Sequence, residues 1–143
     1  MTVESILRIK GTEVTTARPD ESIRSIARTL AARRIGAIVI SRDGRKVDGI
    51  LSERDVVRVI AESGDAALDA PVETMMTRTV VTCGRRDRIE SVMATMTARR
   101  IRHVPVVEDG ALAGIISIGD VVKSRLEEVE HEAQSLREYI SGY

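Results

Sequence analysis

Gly49-Ile-Leu-Ser52-Glu-Arg-Asp55-Val-Val57 returns downstream as Gly114-Ile-Ile-Ser117-Ile-Gly-Asp120-Val-Val122. This doubled stretch decides the fold. In each copy a glycine leads into aliphatic residues that suit a strand, and a serine with an acid three residues later opens a helix. The repetition extends outward on both sides. Val14-Thr-Thr, Ile23-Arg-Ser25, Thr29 and Ala32-Arg-Arg-Ile35 reappear at a constant offset as Val80-Val-Thr, Ile89-Glu-Ser91, Thr95 and Ala98-Arg-Arg-Ile101. Asp43-Gly44 matches Asp109-Gly110, and Val3-Glu-Ser-Ile-Leu7 echoes Val72-Glu-Thr-Met-Met76, with three extra residues after it in the first copy. Self-similarity of this kind marks a duplicated structural unit.

Within a copy the predicted order is strand, helix, strand, turn, strand, helix. Val14–Thr16 and Val80–Thr82 read as short first strands. Pro19-Asp-Glu-Ser22 is a helix start, followed by Ile23, Ile26, Ala27 and Leu30 at helical spacing; Ile89, Val92, Met93 and Met96 are their counterparts. Ala37–Ile40 and Val104–Val107 read as buried strands, with Pro105 expected at a strand start or edge because it lacks an N–H. Asp43-Gly44 and Asp109-Gly110 predict hairpin turns. The expected fold class is α/β (α+β): two βαββα repeats related by a pseudo-two-fold axis, with an amphipathic C-terminal helix. The boundaries read as residues 3–61 for repeat one, 62–70 for a linker, 71–123 for repeat two, and 124–143 for the C-terminal helix and tail.

Composition narrows the function classes. The chain has 143 residues, too few per half for two independent cores, so the halves are expected to pack together. Lys+Arg and Asp+Glu balance at 22 each, which removes the electrostatic case for nucleic acid or an anionic membrane. Trp and Phe are absent, so there is no stacking platform for single strands. The lone Cys83 forbids an intrachain disulfide and reads as an inert strand residue in a reducing compartment. The N-terminus lacks a secretory profile and no apolar run reaches spanning length, so the expected location is cytoplasmic. No nucleophile elbow, Walker loop or Cys–His metal spacing is present, and the chain is expected to be no enzyme.

Ser52-x-x-Asp55 and Ser117-x-x-Asp120 carry two readings. As capping boxes they close helix ends and need no ligand. As binding junctions they offer helix N-terminal amides and a hydroxyl to a phosphate, and a carboxylate to both hydroxyls of a ribose. The two roles are compatible. An adenine base would need an apolar slot, for which Val14, Ile38, Val80, Val104 and Pro105 are candidates. Thr16 and Thr82 are further candidates for contact with base or phosphate, although strand threonines are commonly structural.

The βαββα order, the paired junctions and the run Arg100-Ile-Arg-His-Val-Pro-Val-Val107 resemble a tandem pair of cystathionine-β-synthase (CBS) domains, over roughly Val3 to Lys123. The ending, a charged helix with no attached catalytic or transport domain, is similar to stand-alone bacterial CBS pairs. The resemblance implies that Asp55 and Asp120 hold ribose and that Ser52 and Ser117 face phosphate. It also implies that Arg102 and His103, just before the second strand of copy two, contact phosphate. Copy one has Gly36-Ala37 there, with Ala37 counted among the cleft residues, and supplies Arg54 within its junction where copy two has Gly119.

The C-terminal helix adds a separate signal. Val122, Leu126, Val129, Ala133, Leu136 and Ile140 alternate steps of four and three, an a/d seam. It is too short to be a stable coiled coil alone, so a homodimer with further contact surface is expected; a helix folded back on its own domain is the other reading. The expected function is an energy-sensing regulatory module that requires no cofactor. It binds an adenosine-containing ligand (AMP first, or ADP, ATP with or without Mg²⁺, or another adenosyl compound) and signals to a downstream protein through a ligand-linked conformational change. The alternative is a structural or dimerisation adaptor with degenerate sites.

Overall fold

A computed structural model describes residues 1–142; Tyr143, the last residue of the expected C-terminal segment, lies outside the described residues. Helix α1 spans Val3–Lys10, strand β1 Thr16–Ala17, α2 Ile23–Arg33, β2 Ala37–Ile40, β3 Gly49–Ser52 and α3 Glu53–Ser63. Two short 3-10 turns, Asp65–Asp69 and Val72–Thr74, lead to α4 Ile89–Arg99, β4 His103–Glu108, β5 Ala111–Ser117 and α5 Ile118–Ser141. The mixed α/β architecture and the long C-terminal helix match the reading of the sequence. The segment expected as a linker is largely ordered, with α3 running through Ser63 and Leu68 buried in the following turn.

The local signals act as expected. Ser22 caps α2 by accepting from the Ser25 amide at 3.1 Å. The apolar stripe Ile23, Ile26 and Leu30 is buried, as is Ile89, Val92 and Met96 on α4. Both helices end on an arginine in the left-handed region, Arg34 and Arg100, each at φ 54°. A non-glycine residue there costs roughly 1 kcal/mol. The same turn in both copies swings the chain off the helix and into the next strand.

In the first sheet β1 runs parallel to β2, and β2 antiparallel to β3; in the second, β4 and β5 are antiparallel. The first strand of copy two, expected over Val80–Thr82, is reduced to a single parallel bridge between Cys83 and Val106. The physical reason is Pro105. In copy one Val39 donates its amide to the Thr15 carbonyl at 3.4 Å. Pro105 is the counterpart of Val39 and has no N–H, so the matching rung to Val81 cannot form. Pro105 therefore sits inside β4, not at the strand start, with its bare nitrogen toward Val81 on the side where its carbonyl accepts the Cys83 amide at 3.0 Å. The β2–β3 connection is also longer than a two-residue hairpin: Asp43 organises it by accepting the amides of Arg45 and Lys46, each at 2.9 Å. Asp109-Gly110 keeps the tight turn, with both residues at positive φ.

The two hydrophobic cores do not coincide with the two sequence copies. Val3, Ile6 and Leu7 of α1 pack with Cys83, Ile89, Val92, Met96, Val104, Val106, Ile116 and Val121. Val72 and Met76, from the start of copy two, pack with Ile23, Ile26, Leu30, Ile38, Ile40 and Leu51. Glycine makes this exchange fit. A Cβ on Gly114 would lie 2.7 Å from Leu7 Cδ2, and one on Gly49 would lie 2.4 Å from Met76 Sδ. Each copy thus lends its leading segment to the other, and the halves are locked into one unit.

Cys83 is buried, and its thiol pKa is pushed up to about 12 by burial, with the Asp87 carboxylate adding to the shift. The thiolate is the reactive form, so native protein at pH 8 should resist iodoacetamide, and urea should release fast alkylation. Rapid labelling of the folded protein would contradict the burial of this residue.

Candidate functional site

A cleft of about 400 Å³ lies where the two copies meet, a size suited to a small ligand. From copy one it takes Gly36 and Ala37 at the start of β2, Ile50 and Ser52 on β3, and Glu53, Arg54, Asp55 and Arg58 on the first turns of α3. From copy two it takes Thr77, Thr79, Val80 and Val81, then Arg100, Ile101 and Arg102 between α4 and β4, and His103 at the start of β4. The first junction, the basic run before β4 and one apolar candidate, Val80, therefore converge from distant parts of the chain.

The capping box is present. The Asp55 amide donates to Ser52 Oγ at 3.3 Å, and Asp55 Oδ2 accepts the Ser52 amide at 2.8 Å and the Ser52 hydroxyl at 3.0 Å. The Glu53 amide donates to the Gly36 carbonyl at 2.9 Å. Of the first three amides of α3, these bonds leave that of Arg54 for an anion, and the Ser52 hydroxyl is already engaged. Anion attraction at this helix end therefore falls mainly to side chains. Arg54, Arg58, Arg100 and Arg102 face two carboxylates, Glu53 and Asp55, so the cleft carries a surplus of positive charge. Asp55 Oδ1 meets Arg58 Nη2 at 3.0 Å, and the Asp55 side chain, 16% exposed, lines the cleft.

His103 ties the cleft to its pseudo-symmetric counterpart. Burial lowers its pKa, as do the charges of Lys10 and Arg102, while Glu53 and Asp120 oppose the shift. The ring is thus neutral at pH 7 and can offer one donor and one acceptor. It lies directly over Gly36, where an added Cβ would come within 2.8 Å of its Cε1. Gly36 replaces the bulky Arg102 of the other copy because the imidazole needs that space.

The remaining candidates fall elsewhere. Ile38 and Val104 are buried in the two cores, and Pro105 is buried in β4, so none of the three lines this cleft. Alternation along a strand explains it: Ala37 faces the cleft, so Ile38 faces the core. The apolar wall comes instead from Ile50, Val80, Val81 and Ile101. Thr16 and Thr82 are exposed outside the cleft, and Val14 also lies outside its lining. Sequence reasoning passed over Arg58, Thr77, Thr79 and Arg100. Arg58 was within reach, since it follows Asp55 by three residues on one helix face.

Ser117 and Asp120 form the second junction with the same box: the Asp120 amide donates to Ser117 Oγ at 3.2 Å, and Asp120 Oδ2 accepts the Ser117 amide at 2.9 Å. Its carboxylate is not open. Lys10 Nζ donates to Asp120 Oδ2 at 2.6 Å and to the Ile115 carbonyl at 2.9 Å. Burial alone would raise the Asp120 pKa, but Lys10 and Ser117 outweigh it and hold the carboxyl below its ordinary range.

A duplicated βαββα unit whose paired junctions meet across an internal seam defines a class of protein, and comparison with known proteins gives the class its name. Residues 3–62 and 72–127 each match the CBS domain, and the chain belongs to the CBS domain family. It is similar to the CBS-domain containing protein ATU1752 from Agrobacterium tumefaciens, with 48% identity and a TM-score of 0.84 over 87% of this chain and 99% of that one. It is also similar to the CBS domain protein PAE2072 from Pyrobaculum aerophilum, solved complexed with AMP, at 29% identity and TM-score 0.74 over 84% of this chain and 89% of that one. The CBS domain pair of protein MJ0100, solved with 5′-methylthioadenosine and S-adenosyl-L-methionine, shares 28% identity at TM-score 0.76 over 91% of this chain and 98% of that one. Among the described residues, no helix is long and apolar enough to cross a membrane.

Proposed function

We propose that this chain is a non-catalytic regulatory module of the cytoplasm that binds an adenosine-containing ligand in the cleft at Asp55. The observation that carries the reading is the convergence of Asp55, four arginines and an aliphatic wall from both copies on one cleft. In this reading Asp55 Oδ1 accepts from the ribose hydroxyls once Arg58 turns to the phosphate. Arg54, Arg100 and Arg102 add charge there, and the base lies against Ile50, Val80, Val81 and Ile101. The Val81 carbonyl, which Pro105 cannot pair, is available to an exocyclic amino group. The AMP complex of PAE2072 and the methylthioadenosine and S-adenosylmethionine complexes of the MJ0100 pair support this ligand class. AMP is the favoured ligand; among the described residues no His, Cys, Asp and Glu cluster is arranged to hold a metal, so Mg²⁺ would arrive with ATP phosphates.

Because both copies touch the ligand, it favours the arrangement in which they converge, and that shift is what a downstream protein would read. A melting screen against AMP, ADP, ATP, NAD and S-adenosylmethionine tests this. A ligand at about 100 times its Kd should add roughly 2.7 kcal/mol of stability. No shift with any of the five would end the proposal.

The output surface in this reading is α5. Leu126, Leu136 and Ile140 are 57%, 60% and 68% exposed, and Val122 and Val129 join them along the a/d seam. Val57 and Ile60 expose the equivalent face of α3. Such a stripe matches a second copy of itself, giving a homodimer. Light scattering should find a dimer that the pair Leu126→Glu and Leu136→Glu converts to a folded monomer. A monomeric wild-type chain would remove the dimer from the account.

A further inference from the structure

The two junctions are alike in sequence but are met differently by the rest of the chain. At the first, Thr77 closes a two-way backbone bridge with Ile50: each amide donates to the other's carbonyl at 3.0 Å. Ile115 is the counterpart of Ile50, and its carbonyl is met by a side chain instead. The three extra residues of copy one carry α1 on to Lys10 before the chain turns at Gly11, φ 97°. The Lys10 ammonium then does what the Thr77 amide does in the other half, donating to the strand carbonyl at 2.9 Å. With a second N–H it also reaches Asp120 at 2.6 Å.

We infer that Lys10 is a built-in occupant of the second cleft, its ammonium seated between Ile115 and Asp120, the counterparts of the cleft residues Ile50 and Asp55, so that each chain binds one adenosyl ligand, at Asp55, and not two. The inference rests on the proposed function for the class of ligand. Asp55 also has a cationic neighbour, but the two contacts differ in kind. Arg58 lies on the same helix as Asp55, is 53% exposed, bonds only Oδ1 and itself lines the cleft, so it can turn to a phosphate and leave the carboxylate free. Lys10 comes from another element and is more enclosed. Removing it from Asp120 would also break its bond to the Ile115 carbonyl. The ligand must therefore displace an ammonium fixed by two hydrogen bonds, one to Asp120 Oδ2 and one to the Ile115 carbonyl, against one flexible pair at Asp55.

Titration calorimetry with AMP and with S-adenosylmethionine, on the wild-type chain and on Lys10→Met, tests the inference. Methionine keeps an unbranched apolar stem and removes the ammonium. The wild type should bind one equivalent per chain. Lys10→Met should bind two, the second site gaining about tenfold or more in affinity. Adding Asp55→Asn to Lys10→Met should remove the first event and leave the second. Carbon NMR of the Asp120 carboxyl should show its titration moving up when the ammonium is removed, a readout that needs no ligand. Two equivalents in the wild type, or one in Lys10→Met, would overturn the inference while leaving the adenosyl reading intact. No binding to either protein would overturn that reading and this inference with it, even if the Asp120 titration moves as expected.

Discussion

Asp55→Asn is expected to remove most of the ligand-induced stabilisation without unfolding the protein. Asparagine retains an oxygen that can accept the Ser52 amide, the bond that Asp55 Oδ2 accepts at 2.8 Å, so the helix end keeps its cap. The loss is the charge at Oδ1, the oxygen that faces Arg58 and the cleft. A charge-assisted hydrogen bond is worth about 1.5–3 kcal/mol, so affinity should fall roughly ten- to a hundredfold. At a ligand concentration that gives the wild type roughly 2.7 kcal/mol, the variant should retain only about 0.4–1.4 kcal/mol. Any cost to the cap appears equally with and without ligand, so the difference in melting shift isolates binding. Asp120→Asn, at the cleft that Lys10 occupies, should leave the ligand shift near that of the wild type. An undiminished shift in Asp55→Asn would show that the ligand does not use this carboxylate.

The second large effect concerns the exchange of leading segments. Leu7→Ala should destabilise the protein by about 2–5 kcal/mol, the range for emptying a buried leucine site. Leu7 is 2% exposed and packs in the core built from copy two, against β5 at Gly114. Gly114→Ala alone should cost about 1–3 kcal/mol, because its Cβ would fall 2.7 Å from Leu7 Cδ2. Combined with Leu7→Ala, the added methyl enters space the leucine has vacated. The double variant should therefore be more stable than the sum of the two losses allows. Urea unfolding of the four proteins measures this coupling. Strict additivity would mean that the two side chains do not share a site, contrary to the crossed core.

Much of the architecture was legible because its signals are local. Ser22, Ser52 and Ser117 cap helices where their neighbours said they would, and the apolar stripes of α2 and α4 are buried in the expected register. The repeat itself predicted that Ser52-x-x-Asp55 and Ser117-x-x-Asp120 would take the same backbone form, and they do, each with a complete box. A short-range hydrogen bond depends on residues three apart, and a linear reading sees those.

Contacts between segments far apart in the chain were decided only by the tertiary structure. Pro105 was visible as a residue without a donor, but not that its missing bond would fall on Val81 and dissolve the strand expected there. The aliphatic wall was assigned to Val14, Ile38, Val80, Val104 and Pro105 because they are apolar, and of these Val80 lines the cleft; which side of a strand meets a core and which meets a cleft depends on what packs above it. Most of all, equal junction sequences predicted equal sites. Lys10 reaches Asp120 across the fold because three residues lengthen one helix by most of a turn. Repetition along the chain thus determined a pair of like junctions, while the packing of one copy's first helix against the other's last strand decided that they are not alike.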